Sequence, residues 1–274
     1  MIVSVVGLGF VGSAIVESMK IKDINNNLKI ILYDKFKDGG IGNLENCIYS
    51  DIIFLCLPTL YDYNKNGYDL DPIHENLELL NKLEFEGLVV IKSTILPGTT
   101  NKLVEKYKNL NLCHNPEFLT ARTATEDFLN QDHIILGKSN RCNHFDLISD
   151  FYKKYWPKSK MTICKSNESE AIKISCNCFY SVKIQFFNEL YLMCNKNNID
   201  FNVLKNAMLE NGWINKMHTD VPGHDGKLSY GGMCFPKDTK ALFTFLQEQR
   251  LPNKVLKSTI EERELIREKS LDNF

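Results

Sequence analysis

The chain has 274 residues, 43% of them hydrophobic and 24% charged, with a formal net charge of -1. That length supports one large or two modest domains with real cores, and the near-neutral balance excludes a global basic field for nucleic acid or an anionic membrane. Nine cysteines, odd in number and with no CxxC pair, read as reduced intracellular thiols rather than a disulfide framework. The start Met1-Ile2-Val3-Ser4-Val5-Val6 turns at once into Gly7, without the basic region and cleavage site of a signal peptide. Apolar runs such as 52–57 and 88–91 are of strand length and too short to span a bilayer. A cytoplasmic location, with neither membrane nor nucleic-acid partner, is the expectation.

In chain order, β-branched runs at 2–6, 29–33, 52–57, 88–91 and 134–136, and another near Leu112, read as buried strands. Helix-like stretches around 11–19, 73–83 and 99–108 lie between them. Strand alternating with helix predicts an α/β fold, a Rossmann-like doubly wound parallel sheet with helices on both faces. After Cys164 the pattern changes. Ser166 is a plausible N-cap, Ser169 and Glu170 fall in a first turn, and no Pro or Gly follows as far as Asn195. Ile172, Phe179, Val182, Phe186, Phe187 and Leu190 recur at helical spacing. One helix of about 28 residues, ~42 Å long, is predicted there. Another is expected at 202–210, then a Gly/Pro/Asp loop at 222–232 and helices at 239–249 and 253–269. The division is therefore a dinucleotide-binding domain at 1–164 and an all-helical domain at 165–274 for substrate and dimerisation.

Gly7-Leu8-Gly9-Phe10-Val11-Gly12 follows a strand and opens a helix. Gly7 permits the tight turn, Gly9 the approach of a pyrophosphate, and Gly12 close helix–strand packing. Asp34 closes the second strand 22 residues after Gly12, where a carboxylate binds adenosine ribose hydroxyls. It should repel a 2′-phosphate, so NAD is favoured over NADP, with Lys35 beside it working the other way. Thr59 and Thr94 end the third and fourth strands, where ligands of an open α/β sheet lie; they are cofactor or water contacts, or helix caps. Glu117 sits in a constrained turn, catalytic or merely solvated.

Lys173 and Asn177 are four residues apart and share one face of the long helix. Together they can stabilise an alkoxide or a tetrahedral oxyanion, and a solvated polar face is the plainer alternative. Cys234 lies in Tyr230-Gly231-Gly232-Met233-Cys234-Phe235-Pro236-Lys237-Asp238. A thiol in a Gly-rich loop beside Lys237 and Asp238 suits covalent capture of an aldehyde, whereas most free cysteines are small core residues. Cys176 and Cys178 point about 200° apart on a helix and cannot share an ion. The six His residues lack zinc-ligand spacing, so no metal is expected.

These motifs together resemble the UDP-glucose/GDP-mannose dehydrogenase family. The matching segments are GLGFVG at 7–12, LPT at 57–59, KSTILPGTT at 92–100, NPEFL at 115–119, ESEAIKISCN at 168–177, FNEL at 187–190 and VPG…YGGMCFPKD at 221–238. They stand in family order over nearly the whole chain. The resemblance implies an NAD-dependent nucleotide-sugar 6-dehydrogenase, with UDP-glucose the first choice of substrate and UDP-glucuronate the product. Cys234 would form a thiohemiacetal and then a thioester, with Lys173 and Asn177 holding the reacting oxygens. Asp238 would support Lys173, the thiol or a water. Glu117 and Thr94 would handle water and proton transfer. Phe118, Leu119 and the Tyr230–Gly231–Gly232 loop would line the sugar nucleotide, and Lys237 would approach the cofactor. The family also implies a homodimer through the helix at 166–195.

Two departures stand out. Ala121, followed by Arg122, occupies the place of a second family glutamate. The chain also runs only 36 residues beyond Asp238, too few for the family's further nucleotide-binding domain. Two other readings stay open: a two-electron hydroxyacid dehydrogenase of the 6-phosphogluconate type, and a non-catalytic binder of NAD or a sugar nucleotide.

Overall fold

The computed structural model describes residues 1–268. They form two compact units, the first from 1–60 and 68–173, the second from 61–67 and from Ile174 onward. In chain order the elements are β1 (Ile2–Val6), α1 (Phe10–Lys22), β2 (Lys29–Tyr33), β3 (Ile52–Leu55), β4 (Tyr61–Asp62), β5 (Gly67–Tyr68), α2 (Asp71–Lys82), β6 (Leu88–Ile91) and α3 (Thr99–Lys106). Then come β7 (Asn111–His114), α4 (Ala124–Leu129), β8 (His133–Lys138), α5 (Phe145–Tyr155), β9 (Lys160–Lys165), α6 (Ser166–Lys196), α7 (Phe201–Glu210), α8 (Phe235–Glu248) and α9 (Lys254–Ile266).

The first unit is built on a seven-stranded sheet of order β2-β1-β3-β6-β7-β8-β9. Its central strands β3 and β6 are apolar and buried at every position because both faces are covered. Val3, Val5, Phe54 and Val90 point to the face that holds Ile15, Phe151 and Tyr152. Val6, Ile53, Leu55, Val89 and Ile91 point to the face that holds Ile73, Leu77 and Leu103. Phe151 packs its ring 5.2–5.9 Å from those of Phe54, Tyr152, Tyr155 and Trp156. Truncating such a residue to Ala typically costs about 3–5 kcal/mol. The sheet is parallel except where β7 meets β8, which run antiparallel through Cys113–Lys138 and His114–Gly137. The expected doubly wound sheet is thus mostly parallel, with this one antiparallel pairing.

Alternation of strand and helix does not report strand direction, and α4, before the last expected strand, and α5 and β9, after it, were not foreseen. Gly137 is fixed by close approach, since a Cβ there would lie 2.0 Å from Ser169 Oγ and 2.9 Å from Ser166 Cα.

α6 runs for 31 residues, roughly 46 Å, with residues 166–173 in the first unit and the rest in the second. Ser166 does not cap it as expected. It is fully buried and its hydroxyl has no partner, while the Glu168 carboxylate accepts from Lys165 N at 2.7 Å. Phe187, Cys194 and Phe201 form an apolar cluster with Leu190, Tyr191, Leu204 and Met208. α7 starts where the Asp200 carboxylate accepts from Asn202 N and Val203 N, a side-chain N-cap. The 61–67 hairpin belongs here: the Tyr61 and Thr244 hydroxyls meet at 2.9 Å, and Lys240 Nζ donates to the Tyr63 hydroxyl at 3.1 Å. α8 begins four residues before the expected start at Thr239, because Pro236 suits a first turn. The helix expected at 253–269 is observed as Lys254–Ile266, and residue 269 lies outside the described residues.

Candidate functional site

The glycine turn between β1 and α1 is built as its spacing requires. Gly7 has a φ of +88°, and a Cβ there would come within 2.5 Å of the Cys56 carbonyl oxygen. A Cβ on Gly12 would sit 1.9 Å from Gly7 O, so that glycine lets α1 close on the strand. At Gly9 nothing stands within 4 Å of a Cβ, and Gly9 is the N-cap of α1 with no side chain capping it. The helix N-terminus is thus open to a pyrophosphate. Phe10 and Val11 lie in its first turn, Phe10 exposed and Val11 packed against the core.

Asp34 is fixed by three backbone donors. Leu8 N–H reaches Oδ2 at 2.6 Å, and Phe36 and Lys37 N–H reach Oδ1 at 2.9 and 2.8 Å. Burial alone pushes its carboxyl up, but these bonds and the Lys37 charge outweigh that and hold it below the usual carboxylate range. The lysine at the turn is Lys37, not Lys35. Lys37 Nζ donates to Leu8 O at 2.9 Å and Ser13 Oγ at 3.2 Å, while Lys35 pairs with Glu75 at 2.6 Å. An open Gly9, a free helix N-terminus and a fixed carboxylate fit NAD.

A buried polar group gathers at the carboxyl ends of β6 and β7. The Thr59 hydroxyl donates to the Thr94 carbonyl at 2.8 Å and ties the ends of two strands together. Lys92, the residue after β6, donates from Nζ to Asn115 Oδ1 at 3.0 Å and Pro116 O at 3.4 Å. Asn115 Oδ1 also accepts from the Tyr152 hydroxyl at 2.6 Å, and its amide donates to Ile135 O at 2.8 Å. Glu117 pairs with Lys173 at 3.0 Å, both side chains being less than a tenth exposed. The other Glu117 oxygen accepts from Leu119 N at 2.6 Å, and Lys173 Nζ lies 5.2 Å from the Phe118 ring centroid. Burial pushes Lys92 down to about 8. It also pushes His114 down to about 3, leaving a neutral imidazole 2.7 Å from Ser169 Oγ and 3.3 Å from Ser93 O. Cys56, pushed up to about 12 by burial, is inert. Ala121 and Arg122 are exposed in the following turn.

In the helical unit a second network centres on Asp238, which is fully buried. Its Oδ2 accepts from Asn177 Nδ2 at 2.6 Å and its Oδ1 from Lys237 Nζ at 2.6 Å. Cys234 is the N-cap of α8, and its carbonyl accepts from Asp238 N at 3.0 Å. Cys234 thus stands at the N-terminus of α8, the end of a helix that favours negative charge. The preceding loop is pinned from below. Arg263 Nε donates to Tyr230 O at 2.9 Å, and Arg267 Nη1 donates to Leu228 O and Ser229 O at 2.8 and 3.0 Å. The Tyr230 ring is buried, so Gly231, Gly232 and Met233 form the accessible part of the loop.

Sequence reasoning missed Lys37, Lys92, His114 and Asn115. Lys92 carried a usable signal, a lone cation directly after a four-residue apolar strand, where only a buried role is open to it. Among the described residues no group of three His, Cys, Asp or Glu could hold a metal, and no helix is long and apolar enough to cross a membrane.

A glycine turn opening α1, a carboxylate beyond β2 and a buried Lys173–Glu117 pair define a nicotinamide-dinucleotide-binding chain of the dehydrogenase class. Residues 42–156 match the NAD binding domain of the UDP-glucose/GDP-mannose dehydrogenase family and residues 167–263 its central domain. The chain belongs to that family and binds NAD. It is 28% identical to the UDP-glucose 6-dehydrogenase of Campylobacter jejuni over 95% of its own length and 71% of that protein. It is 30% identical to that of Rickettsia prowazekii, over 72% of this chain and 45% of that protein, so it spans less than half of the latter. A UDP-glucose dehydrogenase from Pyrobaculum islandicum shares the fold with a TM-score of 0.81 at 23% identity, over 96% of this chain and 68% of that one.

Proposed function

We propose that the chain is an NAD-dependent nucleotide-sugar 6-dehydrogenase that oxidises UDP-glucose to UDP-glucuronate through a Cys234 thiohemiacetal and thioester. One observation carries the reading: α8 presents Cys234 at its N-terminus and, one turn on, a buried Asp238 held by Asn177 and Lys237 at 2.6 Å each. Oxidation of an alcohol to a carbonyl needs no thiol there; oxidation to a carboxylate gains from one. NAD, when bound, would accept one hydride per molecule, so the two oxidations would use two NAD in succession, the first NADH leaving before the second hydride is lost.

Lys173 and Asn177 hold the sugar oxygen as its proton leaves, and hydride loss from carbon gives the aldehyde. The Cys234 sulfur bonds to the aldehyde carbon, and the carbonyl oxygen takes up a proton. Loss of that proton and of a second hydride leaves the thioester. Water, positioned by Glu117 and Thr94, adds to the thioester carbon. The C–S bond then breaks, releasing the carboxylate and returning a proton to the thiol.

Asp238 orients the Asn177 amide. Phe118, Leu119, Gly231 and Gly232 face the sugar nucleotide, with the Tyr230 ring bracing the loop. Asp34 and Thr59 contact the cofactor, Lys35 borders its adenosine end, and Lys237 approaches it. The same proposal includes a cytoplasmic homodimer that meets through α6. Phe179, Phe186 and Met193 support it, exposed at seven-residue spacing along that helix. The purified protein, given UDP-glucose, GDP-mannose, UDP-N-acetylhexosamines and hydroxyacids, should release two NADH per UDP-glucose with a uronate product by mass. A single NADH from a hydroxyacid would replace the reading. No turnover with any substrate would leave a binding protein.

A further inference from the structure

The reaction above assigns no task to Lys92, yet its surroundings are built around it. Lys92 is a cation with only 2% of its surface exposed. Holding such a group in a protein interior is unfavourable by several kcal/mol unless it is well bonded. Its ammonium donates to two neutral acceptors, Asn115 Oδ1 and Pro116 O. Those two residues lead directly into Glu117. The Asn115 side chain is locked from two further sides, by the Tyr152 hydroxyl and Ile135 O. Its backbone N–H donates to Ile91 O at 2.9 Å, which keeps the turn in register with β6. Beyond it, the Glu117 carboxylate accepts from Leu119 N and pairs with Lys173. The turn is thus gripped at its base by Lys92 and closed at its tip by Glu117.

We propose that Lys92 is a positioning residue that holds the 115–119 turn from beneath, so that the Glu117 carboxylate is presented to Lys173. The role rests on the reading of Glu117 and Lys173 as groups of the reacting centre. The ammonium over the Phe128 ring, 5.4 Å from its centroid, is held on its remaining side by an aromatic face rather than a countercharge. The titratable groups facing it are Cys56, Glu117, Lys173 and Cys113, with Tyr152 reaching it through Asn115. Burial is the main influence on its proton and brings the ammonium down to about 8. The grip should therefore weaken as pH rises past that point, when the charge-assisted bonds become ordinary ones.

The test compares the full chain with Lys92→Met, which keeps the length and loses the donors, and with Lys92→Gln, which keeps an amide donor. Hydrogen exchange should speed up in the peptide covering 115–123, by roughly tenfold in Lys92→Met, with the rest of the sheet unchanged and Lys92→Gln intermediate. In turnover, kcat should fall by about tenfold or more while KM for NAD stays constant, since a small misplacement of a catalytic group is enough to do this. The fall of kcat above pH 8 in the parent should be absent from Lys92→Met. Unchanged exchange at 115–123 in a folded Lys92→Met overturns the proposal. So does an exchange increase spread over the whole sheet, in Lys92→Gln if Lys92→Met does not fold. A parent protein that oxidises no sugar nucleotide defeats the functional reading instead, and the exchange comparison still decides the role of Lys92.

Discussion

Glu170 offers the sharpest stability test. It is fully buried in the first turns of α6 and accepts from Gly98 N at 2.5 Å, from Thr100 N at 2.8 Å and from the Thr100 hydroxyl. It therefore caps α3 from a different element, because Gly98 at the α3 N-cap has no side chain to do so. Glu170→Ala leaves these donors buried without a partner. A lost cap costs about 1 kcal/mol and each orphaned buried donor about 1–3 kcal/mol, partly overlapping, so a loss of roughly 3 kcal/mol is expected. With a urea m-value of about 3 kcal/mol/M, the midpoint should fall by about 1 M. Trp156 reports the transition, being buried in the sheet unit, whereas Trp213 is 90% exposed.

Burial pushes the Glu170 carboxyl above its ordinary 4.5, the bonds from Thr100, Gly98 and Thr99 offsetting only part of the effect. The sign follows: its contribution is fully present below about 4.5 and is lost as pH rises through the raised folded value. Glu170→Gln should not share that loss, and its stability relative to the parent should improve with pH above 4.5. A Glu170→Ala midpoint within about 0.2 M of the parent would refute the capping argument.

Asp34→Ala should weaken NAD binding and narrow the preference over NADP, measured as the two catalytic efficiencies; equal efficiencies in the parent would rule out selection by Asp34. Because the Asp34 carboxyl is held below its ordinary 3.8, the stability it contributes is present above 3.8 and lost as pH falls through the folded value, so an acid titration of Asp34→Ala should lack that step. With Ala121 where the family carries a second glutamate, thioester hydrolysis should be slow, and Ala121→Glu should speed turnover toward the ~10²-fold a positioned base contributes. Rapid quench of the parent without a NADH burst would show that another group already activates the water. Phe186→Glu, on the exposed stripe of α6, should convert a dimer to a monomer by light scattering; a parent that is monomeric and fully active at micromolar concentration would exclude the α6 interface.

The sheet unit was legible because strands buried on both faces are largely apolar, and β3 and β6, apolar at every position, stand out from their neighbours on that ground alone. The direction of β8 was not legible, since its residues read identically whichever way it runs. α5 was legible and went unread: Phe145, Ile148, Tyr152 and Tyr155 recur at helical spacing on its buried face, with Asp146, Asp150, Lys153 and Lys154 exposed. The short start of α8 was obscured by Pro236, which reads as a loop residue and serves as a first-turn one. Glycine spacing exposed the dinucleotide turn because a Cβ at Gly7 or Gly12 collides with backbone. Lys173, Asn177 and Asp238 were visible as polar residues of the motifs, but their burial, the Lys173–Glu117 pair and the Asn177–Asp238 bond depend on tertiary approach. Lys92 went unread for the same reason.

The covalent role of Cys234 is tested most directly by counting NADH released per UDP-glucose, with product mass, in the parent and in Cys234→Ala. The parent should release two NADH and yield a uronate, and Cys234→Ala should yield no carboxylate, since its second hydride would lack a tetrahedral sulfur adduct to leave from. Two NADH per sugar from Cys234→Ala at close to the parental rate would contradict that role.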